Sequence, residues 1–183
     1  MITSWGFTEL TGEFGSVNAM SEAGAMSLDV IAQDVAVETG AGYIDVTGTM
    51  DTLSLESTTG YLETRRVNVS QELTAYTRAG GIDLTLGETA VPVDGISATT
   101  TTGMVDVNVP REERVRGHNV DGYSVDADTN NGTASIDIVE TKPGDGVVPI
   151  TASASSGDVY ISYADPQTVD GDPDEDGAGS DDV

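Results

Sequence analysis

The sequence predicts an all-β fold: a single-domain parallel β-solenoid (β-helix) of about seven coils, with loop insertions on one edge. Three observations carry this. A glycine-anchored phrase returns seven times along the 183 residues. Within each copy apolar residues alternate with polar ones, the mark of a strand with one buried face. The first copies advance by 18 residues, and a short fixed period marks stacked units that depend on one another for a core.

Residues 1–14 read as an N-terminal cap, with Trp5, Phe7 and Phe14 shielding the first coil. The repeat domain spans 15–163, anchored on Gly24, Gly42, Gly60, Gly80, Gly103, Gly132 and Gly157. Around Gly42 the inward positions are Val35, Val37 and Thr39, then Ile44, Val46 and Gly48. Around Gly80 they are Leu73, Ala75 and Thr77, then Ile82, Leu84 and Leu86. The inward phase jumps from three residues before the glycine to two after it. A straight strand cannot do that, so the chain turns a corner there, and glycine supplies the angles. An antiparallel hairpin per copy is the competing layout. Columns of like residues at constant advance favour parallel coils, which must stack because one coil buries too little to offset its ordering entropy.

Two outward columns stand out. GYIDVTG at 42–48 and GYLETRR at 60–66 place Tyr43 over Tyr61, about 4.8 Å apart at strand spacing. That pair is either cross-strand packing or a platform for stacking a sugar or peptide. The neighbouring column reads Ser27, Asp45, Glu63, Asp83, Asp106, Ser135, Tyr160. Its carboxylates repel by about 0.9 kcal/mol per adjacent pair even in water. Asp45, Glu63, Asp83 and Asp106 are therefore either a solvated row relieved by salt or a site for a hard cation such as Ca²⁺. No other cofactor is expected.

The later copies are separated by GETAVPVDG (87–95), PREERVRGHNVDGYS (110–124) and VETKPGDGVVP (139–149). These insertions are expected on one side of the coils, where repeat folds carry function. The second holds Arg111, Arg114, Arg116 and His118 beside Glu112 and Glu113. It is either a self-paired loop or a docking site for an anionic group. The lone histidine has no serine or cysteine elbow near it, so no triad is expected, and the chain reads as no enzyme. Residues 164–183 carry eight acids and no base and are expected to be a disordered acidic tail. Their DPDEDG phrase opens like an EF-hand loop but lacks the closing glutamate.

Net charge is −25, from 32 acids and 7 bases. Nucleic acid and anionic lipid are thereby disfavoured as partners, and the charge suits either a salt-rich, halophilic setting or an ordinary acidic surface protein. There is no cysteine, hence no disulfide or thiolate metal site. No run approaches the ~20 apolar residues of a membrane span. The opening MITSWGFTEL has no basic or apolar region of a signal peptide, which leaves a cytoplasmic chain or a piece of a longer exported one.

The phrases ESTTGYLET (56–64), TTTTGMVDVNV (99–109) and SASSGDVYIS (153–162) resemble the grammar of the DUF4097 β-strand-repeat family, labelled adhesins. The resemblance covers about residues 15–163. It implies a solenoid-like, non-enzymatic interaction or structural module, often outside the membrane, with a protein or glycan at the cell surface as partner. A carbohydrate-binding or carbohydrate-active solenoid and a self-assembling scaffold are the alternatives.

Overall fold

The computed structural model describes residues 2–115 and 120–164, with side chains from Trp5 onward. The 165–183 segment, with its EF-hand-like phrase, lies outside the described residues. The described residues form ten strands: β1 (Ile2–Glu13), β2 (Ser16–Ile31), β3 (Asp34–Ala79), β4 (Ile82–Leu86), β5 (Gly95–Thr102), β6 (Val105–Val109), β7 (Gly122–Asn131), β8 (Ala134–Asp137), β9 (Val147–Ser156) and β10 (Val159–Tyr163). One 3-10 turn, Glu112–Arg114, interrupts them. The protein is all-β, and every pairing between these strands is parallel.

Register follows the repeat. Gly6 of β1 faces Gly24 of β2, which faces Gly42 of β3. Each of the first steps is therefore 18 residues. β3 is 46 residues long and runs on through the next copies of the repeat, so that Leu62 faces Ile82 of β4 and Leu73 faces Ile96 of β5. The corner glycines lie in single file, and their contacts say why. Gly42 has φ 143°, and a Cβ on it would sit inside the carbonyl oxygen of Gly24. The same overlap joins Gly60 to Gly42, Gly80 to Gly60, Gly103 to Gly80 and Gly157 to Gly103. Each corner is thus packed on the backbone of the last, which no other residue permits.

Inside, the alternating residues meet as one core. Val35, Val37, Ile44, Val46, Leu62, Leu73, Ile82, Val105, Ile150 and Val159 are all buried. Three residues before the corner, Ser21, Thr39, Ser57, Thr77 and Thr100 are buried and Thr129 is half-buried, and several of these hydroxyls donate to carbonyls at the corners: Ser21 to Ala23 at 3.2 Å, Thr100 to Gly80 at 3.2 Å and Thr129 to Gly157 at 2.7 Å. These hydroxyls satisfy backbone acceptors at their corners, whereas those of Ser57 and Thr77 are buried without a partner among the described residues.

Two features depart from the sequence reading. The N-terminal segment covers β2 as a further rung, with Thr8 buried and Leu10 packed on the core, whereas Trp5 and Phe7 are 78% and 68% exposed. Spatial order also differs from chain order at the far end. β9 pairs with both β5 and β7, and β10 with both β6 and β8. The last copy is therefore slotted between the fifth and sixth. Its Ile150, Ala152, Val159 and Ile161 are buried, while the sixth copy leaves Val125 and Ala127 half-buried and Ile136 37% exposed. The more apolar copy takes the two-sided position and the polar one the end, where one face stays wet.

Candidate functional site

Tyr43 and Tyr61 do stack, with ring centroids 6.1 Å apart and planes 11° from parallel. That is wider than strand spacing because the rings are displaced sideways, the favoured arrangement for aromatic pairs. The pair belongs to a longer column: Phe7 faces Ala25, which faces Tyr43. Both hydroxyls are committed to the neighbouring acids. Tyr43 donates to Glu63, and Tyr61 to Asp83 at 3.4 Å. Burial first, then the bond to Glu63, pushes the Tyr43 phenol up to about 12.

The carboxylate column lies in register, Glu63 facing Asp83 and Asp83 facing Asp106. Among the described residues no three acids converge closely enough to hold a metal ion. The charges are handled one by one instead. Asp45, only 4% exposed, receives both Nε and Nη2 of Arg65, with Nε to Oδ1 at 3.0 Å. The same guanidinium lies 3.5 Å from Glu63. Asp106 accepts from Asn108 at 3.1 Å. Burial raises the pKa of Asp83, with the adjacent charges of Asp106 and Glu63 adding to it, and burial also raises that of Asp106.

The insertions make the second candidate. All three meet around the end of β10. Arg114 reaches Glu88 of the first insertion at 3.3 Å. The Arg111 guanidinium lies 4.4 Å above the Tyr163 ring, and the Tyr163 hydroxyl donates to Glu112 at 3.0 Å while accepting the Val139 amide at 3.2 Å. Tyr123, fully buried, donates to the Pro110 carbonyl at 2.7 Å and so pins the residue before Arg111. The first insertion is tied down as well, with the Thr89 amide donating to the Asn68 side chain at 3.0 Å.

Between the first two insertions opens a cleft of about 340 Å³, lined by Arg66, Arg111 and Arg114 with Asn68, Glu88 and Thr89. Arg111 and Arg114 are thus brought together; Arg116 and His118 lie outside the described residues. Sequence reasoning missed Arg66, Tyr123 and Tyr163. Arg66 had a signal: it occupies a position that reads Val30 two copies earlier and Leu86 in the next, where an arginine serves no core.

No family model, curated protein or solved structure matches this chain.

Proposed function

We propose that the chain is a parallel β-solenoid acting as an interaction module, which binds its partner along the edge where the insertions gather. The 18-residue register and the file of corner glycines support the solenoid. One observation carries the binding edge: on a chain of net charge −25, three of the seven basic residues line a single cleft framed by the insertions. Arginine forks suit planar or tetrahedral oxyanions. The resemblance of the repeat grammar to that of the DUF4097 adhesins is what favours a cell-surface or extracytoplasmic setting and a protein or glycan partner rather than a reaction. Nucleic acid fits poorly with so acidic a surface. No helix among the described residues is long and apolar enough to cross a membrane.

A second reading, a carbohydrate-binding face, is favoured by the stacked, half-buried Tyr43 and Tyr61, with exposed Phe7 two strands away in the same column. Glycan and peptide arrays probed with three proteins separate the two. Charge reversal at Arg111→Glu with Arg114→Glu is expected to abolish the captured signals, and Tyr43→Ala with Tyr61→Ala to leave them. The reverse pattern overturns the edge in favour of the aromatic face.

A further inference from the structure

We propose that the arginine cleft binds a small oxyanion-bearing ligand, up to the size of a charged monosaccharide, through the guanidinium groups of Arg66, Arg111 and Arg114. This rests on the reading of that edge as the binding surface and adds the chemistry of what it takes.

Four observations bear on it. First, the cleft carries excess positive charge. Three arginines line it against one lining carboxylate, Glu88, and that carboxylate is engaged by Arg114. Second, Arg66 and Arg111 make no ion pair among the described residues, although the chain offers 32 acids. Arg78 is unpaired too, but Arg66 and Arg111 are unpaired in one and the same cleft.

Third, the charges are held in place. Arg111 lies flat on Tyr163, which is itself bonded to Glu112 and Val139. Arg114 sits in a 3-10 turn closed by its amide on the Arg111 carbonyl at 2.9 Å. Preorganised groups lose less entropy when a ligand arrives. Fourth, Arg66 has φ 53°, the one described non-glycine residue with positive φ. Such a backbone is strained and tends to persist where function uses it. Eighteen residues earlier the corner is Gly48, at φ 117°, so this copy has exchanged a relaxed corner for an arginine that lines the cleft.

The ligand class follows. Forked donors select carboxylate or phosphate oxygens. A surplus of two positive charges favours a dianion such as a phosphate monoester over a single carboxylate. The volume lies at the small end of the ~300–1,000 Å³ typical of small-molecule sites, room for a sugar-sized body beside the anion. A neutral sugar would leave the guanidinium groups desolvated and unpaired.

Calorimetric titration of the full chain tests this, at about 0.1 M salt where the Debye length is about 10 Å. The probes are glucose 6-phosphate, glucuronate, inorganic phosphate and glucose. Saturable binding of at least one charged probe is expected, and none of glucose; the ranking of phosphate against carboxylate tells the two sources apart. Arg111→Gln and Arg66→Gly should each weaken binding about tenfold. The glycine variant removes the charge while easing the backbone, so its loss cannot be laid to misfolding. Arg78→Gln, exposed and away from the cleft, should match the parent chain. Three results overturn the proposal: no anion binds, glucose binds as tightly as its phosphate, or both cleft variants bind unchanged. If any of these appears while charge reversal still abolishes array capture, the small-anion site fails and the binding edge stands.

Discussion

Asp83 and Asp106 occupy adjacent rungs, and neither has the cation that Asp45 finds in Arg65. Burial and like charge raise the Asp83 pKa from 3.8. The native state therefore holds the proton more tightly than the unfolded chain does. Stability from this group is fully present below the unfolded value and is lost as pH rises through the folded one. At neutral pH an ionised Asp83 is a burden that the fold carries. Asp83→Asn keeps the shape and an acceptor for the Tyr61 hydroxyl but removes the charge. It should raise the melting temperature at pH 7 by a few degrees, corresponding to about 1 kcal/mol. The gain should shrink as pH falls toward 4, and also in high salt, where the repulsion is screened. A gain that persists unchanged at low pH would mean that packing, not charge, separates the two side chains.

At the scale of the repeat, the corner is the most exacting element. Gly42→Ala puts a methyl group where the Gly24 carbonyl already lies, on a backbone at φ 143° that L-residues resist. A loss of about 3 kcal/mol or more is expected in chemical denaturation. Gly144→Ala serves as the control, since its nearest neighbour is 3.9 Å away, and should change little. The corner was legible in the sequence because sterics leave it only glycine, and the inward columns because period two leaves them only apolar or small residues. Val35, Ile44, Leu62 and Val105 were all placed on the buried face in this way, as were the small hydroxyl residues Thr39 and Thr77. The site was less legible. Arg111 and Arg114 are visible as a basic run, and Tyr43 over Tyr61 as a repeated phrase. Nothing in the spacing says that Arg66, in a different winding, joins Arg111 across the cleft, or that Tyr163 supports it. Those contacts depend on how the insertions fold back, and irregular backbone has no period to read.

For the molecule as a whole, the order of the last two copies sets its far end and its dynamics. Both copies satisfy the same glycine phrase, so pattern alone stacks them in chain order. Composition decides otherwise. Asp126, Asp128, Asn130 and Asp137 make the sixth copy the polar one, fit to be an outer rung, and acids on an open edge discourage pairing with another chain. At the opposite end Glu9 and Glu13 of β1 do the same. The seventh copy must then enter between rungs, with Ser153 bonded to Thr99 at 3.2 Å across 54 residues of chain. So distant a pairing closes a long loop before it gains a contact, which makes it a late and slow step in folding. Once made, it is held on both sides. Native-state hydrogen exchange should therefore show amides of Ile150–Ala154 and Val159–Ile161 protected as well as those of Leu73–Thr77, despite standing nearer the C-terminus than β7. Amides of Val125–Thr129 and Ala134–Asp137 should exchange orders of magnitude faster, through local opening of the end rung. Protection falling steadily from β5 through β7 to β9 would mean that the rungs stack in chain order, and the fold described for residues 122–163 would be wrong.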